Sequence, residues 1–302
     1  MRLTCIICLS FSLSLFFPSA SPAKENDSNA YQLKVAMHTG SFIAYELSSM
    51  NKPCKQLKLF KDKPNHRMAI ELLIMCEAFE AADFEVHMQV SPTPNYYRAL
   101  RDTNDGRYHT IAESIWSASL DNYHALHVTQ DVVRFGEFEK GVYTSDQHPL
   151  QQAKHNTDID LKQYTSVTFR HWEHDYNILR QISGQVLTTI KFDSLLKMLH
   201  AQRADFSIIE FPIEDSLQFT FAGVTTLPIQ GIKVKMYDSR VFVISKKTQN
   251  SDTIFNALNR GLSIMRKEKR IAPHYIRQGL INHRVKDWKV INSPPEKHIK
   301  PL

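Results

Sequence analysis

Asp193–Pro212, DSLLKMLHAQRADFSIIEFP, is the stretch that decides the fold. It begins as an amphipathic helix, with its leucines on one face and with Asp193 or Ser194 in position to cap the first turn. An Arg-Ala-Asp sequence then breaks the helical pattern, and Phe206–Ile209 predicts a short buried strand that ends at Glu210. Because ligand sites of α/β proteins form outside the carboxyl ends of parallel strands, this stretch predicts half of such a site.

An earlier stretch of the chain follows a similar plan. Tyr96–Arg101 predicts a short helix, and Thr110–Glu113 predicts a buried strand that also ends at a glutamate. Ser114 and Trp116 follow at the carboxyl end of that strand. The match to the first stretch is loose and is not a sequence repeat, but it indicates two lobes built on one plan.

Strands and helices alternate through the rest of the chain. Gln32–Met37 predicts the first strand, a helix stripe at spacings of three and four predicts a helix from about Asn65 to Ala82, and Phe84–Val90 alternates as a second strand. Phe138–Thr144 predicts a strand that crosses between lobes, and Asp252 is placed to cap a last long helix. This order favours an α/β fold of two lobes, with a small-molecule cleft between them.

The first 23 residues have the pattern of a secretory signal peptide. A positive start is followed by the apolar run Ile6–Phe17, and small residues near Ala23 form a cleavage site. The alternative is a membrane anchor, but the run is shorter than the ~20 residues that a spanning helix needs. The sequence therefore predicts export to the periplasm, with cleavage near Ala23.

The net charge of +6 includes Arg2, which leaves with the signal peptide. Much of the basic excess lies between Arg266 and Lys289, where a solvated face is the simplest interpretation. An exported protein rarely meets nucleic acid, so no nucleic-acid partner is predicted. Weak attraction to an anionic membrane surface is compatible with this charge.

Cys54 and Cys76 remain after the signal peptide is removed, and they are a disulfide candidate in an oxidising compartment. The alternative is two free thiols, with Cys76 buried as a small apolar residue on its helix. No C-x-x-C pair is present in the exported part of the chain, so neither a structural zinc site nor a thioredoxin-like redox site is predicted.

Known cofactor and catalytic motifs are missing from the sequence. There is no G-x-S-x-G elbow, P-loop or G-x-G-x-x-G turn. The run from His171 to Asp175 contains two histidines and two carboxylates, but its spacing matches no H-E-x-x-H site. We therefore predict no cofactor, no metal and no catalytic residue.

Several segments together resemble the periplasmic solute-binding protein superfamily with the type II fold, closest to its family 3 branch, the polar-amino-acid binders. The signal peptide carries part of this resemblance, and the rest lies in the following segments: Leu33–Ser41, Met68–Phe79, Phe84–Val90, Leu195–Ile209, Val241–Ile244 and Asp252–Ile281. The resemblance implies a hinge-bending binder that traps a ligand between its lobes, as a transporter component or a sensor input. The predicted boundaries are lobe 1 at 24–140 and 236–292 and lobe 2 at 141–235. The proline- and lysine-rich residues 293–302 predict a disordered tail.

The chain also departs from that family. Amino-acid binders of the branch usually place an arginine for the ligand carboxylate on the helix after the third strand, but Ser114–Tyr123 contains none. An aspartate that is common just before that strand is replaced by His109. These departures argue against a standard amino-acid ligand.

Candidate ligand contacts follow from their position at the carboxyl ends of predicted strands. They are Ser41, Tyr45, Ser114, Trp116, Arg170, Trp172 and Glu210. Either tryptophan is suited to stack on a ligand or, alternatively, to pack in the core. Arg170 is suited to hold a carboxylate or phosphate, or else to pair with Glu173 at the surface. Glu210 is suited to receive an ammonium group.

The sequence thus predicts an exported, monomeric solute-binding protein for a small polar molecule, working with an ABC-type transporter or a sensor in the membrane. Two other classes stay open. One is a periplasmic enzyme of the lyase or dehydratase kind on the same scaffold. The other is a sensor module with a degenerate pocket that binds a protein partner.

Overall fold

A computed structural model of the chain describes residues 30–39, 67–151, 159–212, 214–221, 223–277 and 279–294. The predicted signal peptide, Ser41, Tyr45, Cys54 and residues 295–302 of the predicted tail lie outside these ranges. Within the described residues, no helix is long and apolar enough to cross a membrane.

The first half of the described chain alternates strands and helices. Its elements are β1 (Tyr31–His38), α1 (Arg67–Ala81), β2 (Val86–Thr93), α2 (Tyr96–Asn104), β3 (Thr110–Ile111), β4 (Ile115–Trp116), β5 (Leu126–Val133) and β6 (Phe138–Ser145). The sequence-based strands and helices of this half are confirmed to within a few residues, although the strand predicted over Thr110–Glu113 is only two residues long.

The second half continues the alternation and then returns to the first. Its elements are β7 (Thr165–Phe169), α3 (Glu173–Ile182), β8 (Gln185–Thr189), α4 (Phe192–His200), β9 (Ser207–Glu210), β10 (Phe219–Phe221), β11 (Val224–Met236), β12 (Arg240–Ser245), α5 (Ser251–Lys267), α6 (Ile271–Arg277) and β13 (Lys289–Val290).

Two groups of strands are built from distant parts of the chain. β1 pairs in parallel with β2 and β3, and β12 lies antiparallel between β4 and β5. The Thr110 hydroxyl donates to the Val243 carbonyl at 2.7 Å, which ties β3 to β12. The late strand β12 therefore completes a structure that the first third of the chain begins.

The remaining strands form the other part of the fold. β7 pairs in parallel with β8, and a parallel bridge joins Ser166 to Phe206, just before β9. β6 lies antiparallel between β9 and β11, and β10 and β13 add to β11. Parallel βα units thus occur in both parts, and the long strands β6 and β11 lie next to the second one.

Helices α1 and α5 cover the first part and pack very closely. A Cβ atom on Gly261 of α5 would lie 1.7 Å from the carbonyl oxygen of Ala78 on α1, so only glycine fits there. The apolar stripes of both helices are buried in one core, which includes Met75, Phe79, Leu258 and Leu262. This packing fixes the axis of α1, whose first turn carries Arg67.

Two predicted helix caps are wrong. The N-cap residue of α4 is Lys191, which forms no side-chain cap, and Asp193 instead pairs with Lys197 at 3.4 Å. The N-cap of α5 is Asn250 in a left-handed conformation, and Asp252 is the second residue of the helix, 2.8 Å from His127. In both cases the carboxylate lies in the first turn, where it still favours the positive end of the helix dipole.

Cys76 is buried on α1 and is disulfide-bonded. Cys54, the partner that the sequence predicts, lies outside the described residues. Its pairing with Cys76 therefore stays a prediction.

Candidate functional site

The two glutamates at the ends of the corresponding strands meet at one arginine. Arg67 Nη2 lies 3.4 Å from Glu113 Oε2, and Arg67 Nε lies 3.7 Å from Glu210 Oε1. Glu113 follows β3, whereas Glu210 is the last residue of β9 in the other part of the fold. Two strand ends, one from each part of the fold, thus meet at Arg67.

A third carboxylate, that of Glu71, is fully buried one turn along α1 from Arg67. It lies 3.1 Å from Arg67 Nη1 and accepts hydrogen bonds from the Ser114 backbone N–H, the Ser114 hydroxyl and the Tyr275 hydroxyl at 2.9, 2.7 and 3.2 Å. Burial opposes ionisation of Glu71, but Arg67, Arg240 and the Ser114 bonds outweigh it and lower its pKa. The neighbours of Glu71 therefore favour its ionised form, and its hydrogen bonds fix the position of Ser114.

The second arginine of the site, Arg240, enters from the start of β12 and is also buried. Its Nε donates to the Ser114 hydroxyl at 2.8 Å, and its Nη2 donates to the Ser114 carbonyl. The guanidinium lies over the Trp116 ring, 4.5 Å from the centroid, in a cation–π contact. Arg240 Nε is also 3.8 Å from Glu71 Oε1. We call Arg67, Glu71, Glu113, Glu210 and Arg240 the charge cluster.

Two buried polar atoms, one in the charge cluster and one near it, have no hydrogen-bond partner among the described residues. They are Glu113 Oε1 and the Tyr96 hydroxyl oxygen. Burial is the main reason why the pKa of each group is raised, and Arg67 and Arg240 offset part of the rise for Glu113. A buried polar atom without a hydrogen-bond partner destabilises the protein, so these two oxygens are each available to accept a hydrogen bond.

A second charged group lies on the same side of the sheet. Lys140 on β6 is paired in register with Glu210 on β9, and directly opposed residues of antiparallel strands share a face. The Lys140 ammonium is 2.6 Å from Asp175 and 5.0 Å from the centroid of the Trp172 ring. Its charge is therefore already paired.

Trp116 and Trp172, both predicted as ligand contacts, have different surroundings. Trp116 contacts the rings of Phe138 and His174, with centroids 5.8 and 4.9 Å apart. Trp172 contacts Phe169 and joins an aromatic group that continues through Phe192, Phe219 and Phe221. Both indoles remain partly exposed, so packing and ligand contact are compatible at each.

Arg170 is exposed and directly follows β7. The alternative ion pair with Glu173 is not present, and the Arg170 side chain makes no ion pair or hydrogen bond with any described residue. Its role as a ligand contact stays a prediction, as do those of Ser41 and Tyr45.

Further contacts join the two parts of the fold near Trp116 and α2. His174 Nε2 lies 3.4 Å from Asp238, and the Tyr97 hydroxyl donates to the His171 carbonyl at 2.8 Å. Burial lowers the pKa of His174, although Asp238 and Asp175 oppose the change. An open pocket with a volume of about 430 Å³ lies beside the Tyr97 contact, on the exposed side of α2. It is lined by Pro94, Asn95, Tyr97, Arg98, Arg101 and Tyr123.

In the described ranges, no group of three or more His, Cys, Asp or Glu side chains is arranged to hold a metal ion. The carboxylates of the charge cluster face guanidinium groups rather than one another. Their chemistry is that of ion pairs and of binding charged groups.

Sequence reasoning missed Arg67, Glu71, Tyr275 and Arg240. The sequence does contain one indication of Glu71. This residue lies on the same face of α1 as the buried residues Met75 and Ala78, so a charge at that position requires a buried partner. Arg240, the first residue of an otherwise apolar strand, gave a weaker signal.

Solved structures resemble the chain over most of its length. The probable amino-acid ABC transporter extracellular-binding protein ytmK from Bacillus subtilis matches with a TM-score of 0.55 and 11% identity, covering 83% of this chain and 98% of that one. Two structures of the VFT2 domain of BvgS from Bordetella pertussis match with TM-scores of 0.52 and 0.51 at 13% and 12% identity, each covering 82% of this chain and 93% of theirs.

The sequence comparisons find nothing of the kind: no protein-family model matches the chain, and no curated protein matches it. At these identities the likeness concerns the fold. Parallel βα units in two parts, long strands beside the second and a late return to the first part agree with it. The chain has the two-lobed type II fold of the periplasmic solute-binding proteins, as its sequence predicts.

Proposed function

We propose that this protein is an exported solute-binding protein that holds a small polar ligand between its two lobes, near the charge cluster. The observation that carries the proposal is the convergence of Glu113 and Glu210, from corresponding strand ends, on Arg67. Charged side chains that meet at strand ends beside partly exposed indoles are typical of a polar ligand site.

The fold supports a role outside the cytoplasm, as does the predicted signal peptide. The Bacillus subtilis structure is named as an extracellular-binding protein of an ABC transporter, and one Bordetella pertussis structure is named as periplasmic. We propose the periplasm as the location, the lobe boundaries predicted from the sequence, and a membrane transporter or sensor as the partner.

A thermal-shift screen tests the binding function. Amino acids, polyamines, sugars and organic acids are each added to the mature protein. A ligand at one hundred times its dissociation constant adds about 2.7 kcal/mol to the free energy of unfolding, which raises the melting temperature by several degrees. If no compound raises it, the binder proposal fails and the module that binds a protein partner becomes the better explanation.

One observation favours an enzyme as a second candidate. Glu113 and Glu71 lie in the same cluster, yet the pKa of Glu113 is raised and that of Glu71 is lowered. Carboxyl pairs whose pKa values are pushed apart are common among acid–base catalysts. Product formation with any compound that stabilises the protein would favour the enzyme, whereas stable stoichiometric binding without turnover favours the binder.

A further inference from the structure

We infer that the ligand is a small organic cation that lacks a carboxylate, an alkylamine or a guanidine, and that Glu113 is its principal contact. This inference rests on the proposed binding function and specifies its substrate class. It sets the protein apart from a binder of zwitterionic amino acids, the class that the name of the Bacillus subtilis structure specifies.

Charge balance is the first argument. Among the described residues, the charge cluster contains three carboxylates, Glu71, Glu113 and Glu210, and two guanidiniums, Arg67 and Arg240. With all five groups ionised, they carry one surplus negative charge; the carboxylates of Glu71 and Glu113 are buried, and that of Glu210 is 38% exposed. Such a surplus is costly unless a proton or a bound cation neutralises it.

The unpaired atoms locate the surplus. Glu113 is 3% exposed, and its Oε1 has no hydrogen-bond donor in the part of the chain that the structure describes, while its Oε2 faces Arg67. The Tyr96 hydroxyl, which arrives from α2, is likewise unpaired and lies close enough to interact electrostatically with Glu113, Arg67 and Arg240. Two oxygen acceptors from separate elements suit the several N–H donors of an ammonium or guanidinium group.

Arg67, Arg240 and Lys140, the cations that the structure describes around the site, are already engaged, which argues against a ligand carboxylate. Arg67 faces three glutamates, and Arg240 is held by Ser114, Glu71 and the Trp116 ring. Lys140 is paired with Asp175 at 2.6 Å. A zwitterion would have to break one of these buried pairs to place its carboxylate, whereas a simple cation adds to the cluster without breaking any.

Matched pairs of compounds test the inference directly. Isothermal titration is carried out with agmatine and arginine, and with cadaverine and lysine, since each pair differs only by the carboxylate. We expect at least one decarboxylated compound to bind about tenfold or more tightly than its amino acid. Equal or tighter binding of the amino acids would overturn the inference while leaving the proposed function intact. No binding by any compound of the wider screen would instead remove the proposed function.

Variants then assign the contact. Glu113→Gln keeps the size of the side chain but removes its charge, and it should weaken binding of the amine by about tenfold to a hundredfold, the range for a hydrogen bond to a charged group. The control Glu80→Gln removes an exposed carboxylate at the other end of α1, far from Arg67, and should leave the affinity unchanged. Unchanged affinity in Glu113→Gln would refute its role.

Arg170 supplies the opposite test. Arg170 is exposed, has no ion-pair partner among the described residues, and is the arginine that the sequence predicts for a ligand carboxylate. The amine should bind Arg170→Ala as it binds the unmodified protein. A loss of amino-acid binding in Arg170→Ala, with the amine bound no more tightly than the amino acid, would establish the zwitterionic alternative.

Discussion

Glu113 and Glu210 end two corresponding strand units and contact the same arginine, but their surroundings differ. Glu113 is 3% exposed and approaches Arg67 at 3.4 Å, whereas the side chain of Glu210 is 38% exposed and approaches at 3.7 Å. Residue type and position in the unit are therefore alike, and burial is what separates them.

The difference in burial determines which of the two ion pairs with Arg67 contributes more to the free energy of unfolding. An exposed ion pair contributes little, because water already solvates both charges. Burial of Glu113 raises its pKa and makes its charge depend on its neighbours. Glu113 should therefore respond to changes in the charge cluster, while Glu210 should be nearly indifferent to them.

Removal of Arg67 should have the largest effect. Arg67→Met keeps much of the volume but leaves Glu71 and Glu113 buried without their main cation, so we expect a loss of about 3 kcal/mol in the free energy of unfolding. Urea denaturation at pH 7 measures it. Arg101→Met, at an exposed arginine of α2, is the control and should change stability by less than about 0.5 kcal/mol. A loss below about 1 kcal/mol in Arg67→Met would mean that the cluster is effectively hydrated.

The next largest effect should be on the pH dependence of stability in Glu113→Gln. The folded protein holds the Glu113 proton to a higher pH than the unfolded chain, in which the pKa is near its ordinary value of 4.5. As pH rises from the unfolded pKa of Glu113 to its higher folded pKa, the unmodified protein should lose stability relative to Glu113→Gln. The loss should be at most about 1.4 kcal/mol per pH unit. The charged groups that set this are Arg67, Arg240 and Glu71.

Glu71→Gln is the counterpart with the opposite sign. Because the folded protein lowers the pKa of Glu71, its ionised form stabilises the fold above the ordinary pKa, and that stability is lost as pH falls. Denaturation curves measured from about pH 2.5 to pH 8 for both variants separate the two effects, because the Glu71 effect lies below its ordinary pKa of 4.5 and the Glu113 effect above it. A stability difference from the unmodified protein that is independent of pH in both would contradict these assignments.

Glu210→Gln should have the smallest effect on stability. Its carboxylate is partly hydrated and lies 3.7 Å from Arg67, so the loss should stay below about 0.5 kcal/mol in the same urea assay. A loss comparable to that of Arg67→Met would show that the two glutamates are equivalent after all.

Much of the fold follows from the sequence because local periodicity is enough. The stripe of α1, the alternation of β2 and the helix–strand unit ending at Glu210 each predict their element, and strand-end geometry selects Ser114, Trp116 and Glu210 as site residues. The two predicted helix caps are wrong because the backbone geometry at Lys191 and Asn250 determines where each helix begins, and the nearest carboxylate does not.

The partners of those site residues could not be predicted in the same way. Ser114 and Arg240 are 126 positions apart, and Tyr275 is 204 positions from Glu71. No local pattern encodes such contacts, which depend on β12 entering between β4 and β5. A buried acid on the ridge of α1 indicated that some cation was required, but not which one.

The insertion of β12 between β4 and β5 also sets an order of events during synthesis. β4, β5 and α1 leave the ribosome more than a hundred residues before β12 and α5, so the sheet and the close helix contact at Gly261 wait for the last quarter of the chain. Until Arg240 emerges, the early segment carries Glu71 and Glu113 with Arg67 alone. Contacts of such long sequence separation form slowly, and the charge cluster is therefore assembled late, when nearly the whole polypeptide exists.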